Sequence, residues 1–386
     1  MGKKHHYVPR FYLKRFAIDR ANPRQLRLFS IPSGIYVPNA SLYNQCHRSR
    51  FYGRTNEIED ALSVLEGRFA AALRIIDNTG ELPKRTSQEY ADLLLFVGFQ
   101  WMRTGRAADD LADQVDKLAK TLLSEVADRN EMEDIKDSIE TVRVGYDDPV
   151  LISMARSGKM AMCIADLKTH IVEAGDGIEF VTSDHPIQPY NIYCEGVDWT
   201  GVTGAVSTGL MVFVPISPSR CLLFYDGSVY KVGKPNTGRT VVTNADDSFS
   251  INALQFVGAE GNVYCSGDMG SAYFGRLAAR YQKARGTPHV VVKGFQDADD
   301  PMRSLVMNYH PMPNLRLSLS FVSVRRNARK KPMRERAQSY RMSIVPPDPF
   351  DPTETWEEAI REGIQIEHDR SRGSWVSLNL IQRSVR

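Results

Sequence analysis

The sequence predicts an α+β protein in which a helical N-terminal half packs on a mostly antiparallel sheet, with a small C-terminal appendage. Apolar residues at helical spacing dominate the first half, whereas short β-branched and aromatic runs bounded by turn residues begin near Ile178. Helices followed by strands favour α+β over alternating βαβ units. Because 386 residues exceed the usual size of one core, we predict a core domain over residues 1–285 and an appendage over residues 286–386.

Composition and cysteine usage limit the environments in which we expect the protein to reside. Apolar residues make up 42% of the chain and charged residues 25%, which is typical of globular proteins. The formal net charge of +3 is too small to indicate a polyanionic partner by itself. The five cysteines form no CxxC pair, which disfavours a cysteine zinc site and favours a reducing compartment. The longest apolar stretch, residues 93–102, is about half of the ~20 residues that a membrane helix needs. We therefore predict a soluble, cytoplasmic protein without a membrane partner, and homo-oligomerisation stays open.

Capping residues and periodicity place the helices. Asn56 and Glu59 form a capping-box pattern ahead of apolar residues that repeat at helical spacing to Ile76. The next helix begins near Ser87 and is apolar on nearly every side towards Met102, which predicts a central, buried helix. The predicted helices span residues 58–76, 87–102, 107–127, 149–164 and 244–255.

The predicted strands span residues 25–31, 34–38, 178–182, 210–215, 221–225, 229–232, 263–265, 289–293 and 315–324. The appendage adds a basic run, from Arg325 to Arg336, that holds seven Arg or Lys against one Glu. An acidic helix is predicted after it, from Asp351 to about Gly363. The basic run is either a contact for the phosphate backbone of RNA or DNA or a solvated linker.

Two histidines stand at the start of the chain. His5 and His6 precede Val8-Pro9, which favours extended backbone, so their side chains are predicted to point to opposite faces. One of them could then reach a pocket and act as a general acid or base, because imidazole titrates near neutral pH. The alternative is that both lie near the surface with the neighbouring lysines.

The first long helix carries carboxylates on its apolar stripe. Glu59 and Glu66 are seven residues apart and share a row with Leu62 and Phe69. A carboxylate in apolar surroundings requires a cation, a metal ion or hydrogen bonds. The alternative is that both acids lie at the edge of the stripe and stay hydrated.

The central helix offers a partner for these acids. Gln100 and Arg103 are three residues apart, hence on one face near its C-terminal end. We predict an Arg103–Glu66 or Arg103–Glu59 ion pair ahead of a phosphate contact. Arg103 could also serve only as favourable charge at a helix C-terminus.

The segment Thr182-Ser183-Asp184-His185-Pro186 follows a predicted strand, where loops often carry site residues. Adjacent residues cannot fold back into a Ser–His–Asp relay, so this is not a hydrolase triad by itself. Asp184 could ligate a divalent metal or orient His5 or His6, with Asn191 as a hydrogen-bonding partner. The alternative is a polar turn into Pro186.

The opening residues His5-His6-Tyr7-Val8-Pro9, with Phe11, Leu13 and Phe16, resemble the signature of the domain-of-unknown-function family DUF4238. Further similarities follow in order: the helix from Ile58 to Ile76, Gln100 with Arg103-Thr104, the Thr182–Pro186 segment with Asn191, and Pro215-Ile216-Ser217-Pro218. The resemblance covers roughly residues 3–270. It favours a functional role for the histidines, and for such families it implies a nuclease-like or toxin-like activity, including defence against phage.

We therefore hypothesise a nuclease-like hydrolase acting on a phosphate-bearing substrate, RNA or DNA. The alternatives are a non-catalytic nucleotide- or nucleic-acid-binding module and a structural ion-pair core. P-loop, dinucleotide-binding GxGxxG and HExxH motifs are absent, so no nucleotide cofactor is expected. The predicted catalytic residues are His5, His6, Glu66 and Asp184. The predicted substrate-binding residues are Lys4, Gln100, Arg103, Ser183, His185 and Asn191. The predicted metal ligands are Glu59, Glu66 and Asp184, whose oxygen atoms favour Mg²⁺ or Mn²⁺.

Overall fold

Helices dominate the N-terminal half and strands become frequent after it. The computed structural model describes residues 4–53, 57–132, 135–196, 201–235, 237–287, 289–296, 304–328, 367–368 and 375–377. Its helices are α1 (Arg10–Leu13), α2 (Glu57–Thr79), α3 (Gln88–Met102), α4 (Gly105–Arg129), α5 (Lys136–Thr141), α6 (Pro149–Ala155), α7 (Ser157–Ile164), α8 (Ala245–Gly258) and α9 (Gly270–Tyr281).

The strands of the N-terminal half are β1 (Lys4–His6), β2 (Gln25–Ser30), β3 (Ile35–Ser41), β4 (His47–Ser49) and β5 (Arg143–Val144). The central strands are β6 (Lys168–Ala174), β7 (Thr182–Ser183), β8 (Gln188–Tyr190), β9 (Met211–Ser217), β10 (Arg220–Tyr225), β11 (Tyr230–Val232), β12 (Arg239–Val242) and β13 (Asn262–Cys265). The last are β14 (Val291–Gln296), β15 (Ser304–Tyr309), β16 (Val322–Val324), β17 (Glu367–His368) and β18 (Trp375–Ser377).

Helix α3 lies at the centre of the helical half. Ser87 caps its N-terminus by accepting a hydrogen bond from the Tyr90 N–H. Leu93 and Phe96 are fully buried, and the helix packs against α2 and α7. Gly98 permits the close approach to α7, because a Cβ atom there would lie 2.6 Å from the main-chain oxygen of Ser157. The predicted burial of this helix is confirmed.

A five-stranded sheet, in the order β12-β6-β10-β9-β8, separates two apolar cores. Its strands are antiparallel except for the parallel pair β12–β6. Because successive side chains of a strand point to opposite faces, Val212 and Val214 join the core that holds Leu93, whereas Phe213 joins the core built on α8 and α9. A four-stranded antiparallel sheet follows the order β3-β2-β13-β7. The α+β class with a mostly antiparallel sheet is confirmed.

Two predicted strands are mostly extended chain without a ladder. Of residues 178–182, only Thr182 belongs to a strand, and the Val181 N–H donates to the Asn252 side chain at 2.9 Å. Of residues 315–324, only Val322–Val324 forms a strand. The Leu317 N–H donates to the Glu195 carboxylate at 2.7 Å instead. Side-chain acceptors thus satisfy N–H groups that would otherwise pair with a strand.

Several elements depart from the predicted pattern. The helix predicted over residues 149–164 is two helices, α6 and α7, separated at Arg156, just before Ser157-Gly158, which disfavours helix. Strand β6 was not predicted, because it begins with polar residues, Lys168-Thr169-His170. Strand β15 and helix α9 were not predicted either.

Part of the predicted appendage packs on the core. Strand β16 pairs with β11, and Leu315, Leu317 and Leu319 are buried in the core built on α8 and α9. The domain boundary between residues 285 and 286 stays a prediction. The acidic helix from Asp351 and the basic run beyond Ala328 lie outside the described residues. Within the described part of the chain, no helix has both the length and the hydropathy to cross a membrane.

Candidate functional site

The N-terminal strand is buried, which rules out the surface alternative for its histidines. Strand β1 pairs antiparallel with β4, and His5 and His6 are 2% and 9% exposed. The His5 ring stacks on Tyr52 at 5.5 Å between centroids, and its Nδ1 accepts the Tyr52 N–H at 3.0 Å. His6 Nε2 lies 3.2 Å from the main-chain oxygen of Tyr43. The predicted extended backbone is confirmed, and both rings contact main chain.

Arg103 holds this strand in place. Its guanidinium donates to the main-chain oxygen of His6 at 2.7 Å, to the Tyr52 hydroxyl at 3.1 Å and to Glu66 at 2.9 Å. The predicted Arg103–Glu66 ion pair is therefore confirmed. Burial raises the pKa of Glu66, although Arg103 pulls it in the opposite direction. We call Arg103, Tyr52, Glu66 and the main chain of His6 the N-terminal clamp.

Stability should fall in acid because His6 is buried in its neutral form. Burial lowers the pKa of His6 from 6.5 to about 4. Between these pH values the unfolded chain is therefore protonated at His6, whereas the folded chain is not. The contribution is present above pH 6.5 and is lost as the pH falls towards 4. Urea unfolding at pH 7 and pH 4.5 should show a smaller loss for His6→Gln than for the wild type. Equal losses in both proteins would contradict this assignment.

The other predicted residues of this region make structural contacts. Gln100 donates to the main-chain oxygen of Tyr7 at 3.1 Å and is 1% exposed. Lys4 lies at the surface, where its ammonium donates to Asn44 at 2.7 Å. Glu59 is half-buried on α2, near enough to Glu66 for its charge to raise the pKa of that carboxyl. None of these three residues lines the cavity described below.

Asp184 stabilises a neighbouring turn. Its Oδ1 accepts the Glu260 N–H at 2.7 Å, and its Oδ2 accepts the N–H groups of Gly261 at 2.7 Å and Asn262 at 2.8 Å. Burial raises the pKa of Asp184, and the three donors oppose that shift. The carboxylate makes no hydrogen bond to His5 or His6 within the described chain.

Ser183 and Asn191 are likewise internal. Ser183 Oγ donates to the main-chain oxygen of His185 or to the Gln255 side chain, at 2.9 and 2.7 Å. The Asn191 amide donates to the main-chain oxygens of Val202 and Thr208 at 2.7 and 2.8 Å. Both side chains are fully buried and shape the loop around them.

The predicted metal ligands are not gathered at one point. Glu66 is bound by Arg103, and the oxygens of Asp184 are occupied by main-chain N–H groups. Among the residues that the structure describes, no group of three or more His, Cys, Asp or Glu is arranged to hold a metal ion. A role for Mg²⁺ or Mn²⁺ stays a prediction.

Thr104 links the N-terminal clamp to His185. It caps α4, with its Oγ1 accepting the Ala107 N–H at 3.2 Å. The same oxygen lies 2.7 Å from His185 Nδ1, and the direction of that hydrogen bond depends on the tautomer of the ring. Burial, then the charge of Arg106, lowers the pKa of His185 well below 6.5, so the ring is neutral at pH 7. His185 Nε2 has no hydrogen-bond partner among the described residues.

His185 lines a cavity of about 380 Å³ between the end of α3, the start of α4 and α7. Two more histidines, His289 and His310, line it from exposed positions. Among the residues that the structure describes, the charged lining consists of four basic side chains and one carboxylate: Arg106, Arg156, Lys159, Arg285 and Asp110. Apolar residues including Trp101, Leu111 and Pro189 supply the remaining wall. The cavity therefore combines an excess of positive charge with imidazole groups.

Main-chain oxygens and a histidine fix the two arginines nearest to His185. Arg106 donates to the main-chain oxygen of Gly258 and to His289 Nδ1, and its Nε lies 3.8 Å from Asp110. Arg285 donates to the main-chain oxygens of Phe256 and Ala259 at 2.6 and 2.8 Å. Because carbonyl oxygens are neutral, these main-chain contacts do not cancel the charge of either arginine, although Asp110 partly offsets that of Arg106. Burial lowers the pKa of both guanidinium groups, because it disfavours their charged forms.

Most of the cavity was missed at the level of sequence. His185 was predicted as a substrate-binding residue, but Arg106, Asp110, His289 and His310 were not. Arg106 lies three residues after Arg103, so its position at a predicted helix start was a usable signal. His289 and His310 come from the predicted appendage, and no local pattern connects them to residue 185.

Comparison with known proteins identifies the family of the chain but no activity. A family model described as "Protein of unknown function (DUF4238)" matches residues 4–268. No curated protein and no solved structure matches the chain. The matched region includes the N-terminal clamp, Thr104 and His185, whereas His289 and His310 lie beyond it.

Proposed function

We propose that this chain, which belongs to the DUF4238 family, is a nuclease-like hydrolase that cleaves a phosphodiester in the cavity beside His185. One observation carries the proposal: the cavity places an imidazole whose Nε2 is not engaged among an excess of basic side chains. General acid–base chemistry on a phosphate ester needs both features, a proton carrier and positive charge for the phosphate oxygens.

The charge of the cavity favours an anionic ligand. Among the described lining residues, four are basic (Arg106, Arg156, Lys159 and Arg285) and one is acidic, Asp110, which lies 3.8 Å from Arg106. A site with low-dielectric walls and charge of one sign attracts ligands of the opposite sign. A phosphate group can accept hydrogen bonds from several guanidinium and ammonium groups at once.

His185 is the proposed general base. Thr104 Oγ1 accepts the Ala107 N–H with one lone pair and can accept the His185 Nδ1–H with the other, which leaves the Nε2 lone pair for the substrate. The lowered pKa keeps the ring unprotonated at neutral pH. A bound phosphate would raise the pKa of His185 towards the operating pH, because a nearby negative charge favours the imidazolium form.

The step is a displacement at phosphorus. His185 Nε2 takes the proton of the attacking hydroxyl, either the ribose 2′-OH of RNA or a water molecule. The attacking oxygen uses the electron pair left by this proton to form the new P–O bond, while the bond between phosphorus and the leaving oxygen breaks. His310 is the proposed donor of a proton to that leaving oxygen. Its Nδ1 lies 2.9 Å from the main-chain oxygen of His289, which orients the ring at the cavity rim.

The cavity volume selects the form of the substrate. About 380 Å³ lies at the lower end of ligand pockets, which range from roughly 300 to 1,000 Å³. One nucleotide unit of a flexible strand fits this space, whereas a base-paired duplex does not enter it. Single-stranded RNA or DNA is therefore the proposed substrate. We include in the proposal a role as a toxin or in defence against phage, which would follow from such an activity.

Filling the cavity should abolish the activity without removing any charge. Ala205 lines the cavity, and Ala205→Trp is expected to lower the turnover of labelled single-stranded RNA or DNA at least tenfold by exclusion of the substrate. Ala61→Trp, at an exposed position of α2, is the matched control and should leave turnover unchanged. Each protein is assayed with Mn²⁺, with Mg²⁺ and with a chelator, because a metal requirement stays part of the question.

The assay has three outcomes. Turnover that Ala205→Trp abolishes and Ala61→Trp preserves supports the hydrolase. Binding of a nucleotide in the cavity with no product favours the alternative, a non-catalytic binding module. Equal turnover in both variants would place the chemistry outside this cavity and contradict the proposal.

A further inference from the structure

A second charged surface lies beside strands β6 and β12. It is an open groove of about 1250 Å³. Among the described residues, its lining contains no Asp or Glu. Its basic side chains are Arg85, Lys168, Lys231, Lys234, Arg239 and Arg325. We call this surface the basic groove.

The positive charge of the basic groove is not neutralised within the described chain. None of its six basic side chains forms an ion pair with a described Asp or Glu. Arg85 donates to the main-chain oxygens of Leu167 and Ala165 at 3.0 and 2.6 Å, and Arg325 donates to that of Tyr230 at 3.0 Å. These acceptors are neutral, so they position the guanidinium groups without cancelling their charge.

The floor of the basic groove is apolar and partly aromatic. Phe321, which is half-buried, and Val241, which is 55% exposed, line it together with the buried rings of Tyr90 and Tyr225. Proteins that bind single-stranded nucleic acid combine a basic groove for the phosphates with rings and apolar surface for the bases. An acidic peptide would use the charges but would gain little from the rings, and a flat membrane would not reach the floor.

The basic groove and the cavity are separate sites. Tyr90, near the start of α3, lines the groove, whereas Trp101, near its end, lines the cavity. The two positions are 101 − 90 = 11 residues apart, which is about 17 Å along a helix at ~1.5 Å per residue. Binding in the groove therefore needs no contribution from His185.

We infer that the basic groove binds the sugar–phosphate backbone of single-stranded nucleic acid. The four exposed side chains Lys168, Lys231, Lys234 and Arg239 contact phosphates, and unpaired bases rest on Phe321 and Val241. Single strands are favoured over duplexes because only unpaired bases can present their faces to these side chains. This inference does not depend on the cavity being catalytic.

The test measures the binding of fluorescein-labelled oligo(dT) and oligo(U) to the full chain by anisotropy over a range of salt concentrations. Lys231→Ala/Lys234→Ala should weaken binding roughly tenfold and reduce the salt slope by about 1.4, since each phosphate contact on a single strand contributes about 0.7. Lys14→Ala/Lys283→Ala removes two exposed lysines elsewhere and is the matched control. Thermal unfolding verifies that each variant is folded, and Arg239→Gln provides a second variant of the groove.

The inference is supported if the groove variants lose affinity and the control does not. It is overturned if the wild type fails to bind either oligonucleotide, or if the control loses as much affinity as the groove variants. Polyglutamate that binds as tightly, with the same dependence on Lys231 and Lys234, would overturn it in favour of an acidic polypeptide. Loss of turnover in the cavity, by contrast, would leave this result unchanged.

Discussion

Arg103→Met is expected to lower the free energy of unfolding by about 3–5 kcal/mol, because it breaks a buried charge network from one side. Arg103 is 2% exposed and satisfies three acceptors at once: the His6 main-chain oxygen, the Tyr52 hydroxyl and Glu66. Methionine has a similar length but no donor, so it would leave these groups without their partner in surroundings that exclude water.

Urea unfolding followed by circular dichroism measures this effect. Lys117→Met is the matched control, because Lys117 and Asp113 form an exposed ion pair one helical turn apart. Such pairs contribute well under about 1 kcal/mol. Glu66→Gln should cost less than Arg103→Met, since the amide oxygen still accepts from the guanidinium. Equal losses for Arg103→Met and Lys117→Met would show that the N-terminal clamp does not anchor the first strand.

His185→Gln is expected to lower turnover by about 10²–10⁴-fold, the usual contribution of a general acid or base. Glutamine keeps a polar side chain that can hydrogen-bond to Thr104, but it cannot take up a proton at neutral pH. Because the pKa of His185 in the free protein lies well below 6.5, wild-type kcat/KM should persist from neutral pH to below pH 6.5 and fall only in stronger acid. A residue that serves only as structure would not set that acidic limb.

His170→Gln is the control for this prediction. His170 is also buried and its pKa is also lowered, to about 4, but it bonds to Thr240 and lies outside the cavity. His170 lines the basic groove, so the comparison uses kcat at saturating substrate; the substitution should leave kcat and its pH profile near those of the wild type. If His170→Gln and His185→Gln reduce turnover equally, the losses reflect damage to the fold and His185 is not the base.

The fold was predictable where local chemistry decides the structure. The caps and apolar periodicity of the first helices gave α2 and α3 correctly, including the burial of Leu93 and Phe96. Local sequence patterns did not predict the structure where contacts with residues far away in the sequence determine it. The polar start of β6 is accommodated because the strand lies between β10 and β12, and the segment from Leu315 to Phe321 stays outside a ladder because Glu195 and Asp247 accept its N–H groups.

The site was predictable only in part, for a related reason. The Arg103–Glu66 pair follows from a buried guanidinium near an acid on an apolar stripe, and it was predicted correctly. The rings of His5 and His6 contact main chain instead of a cavity, whereas the buried imidazole that lines the cavity belongs to His185. Its cavity neighbours Arg106, His289 and His310 come from three distant segments, and only tertiary packing brings them together.

The most direct test of the cavity as a phosphate site is histidine-selective ¹⁵N NMR during titration with a 5′-mononucleotide, with His185→Gln to assign the signal. We expect the His185 ring nitrogens to shift saturably, with the pKa of that ring rising as the phosphate binds, and the signal of His5, which lies outside the cavity and the basic groove, to stay in place. Histidine signals that do not move at saturating nucleotide, or movement confined to residues outside the cavity, would contradict the account.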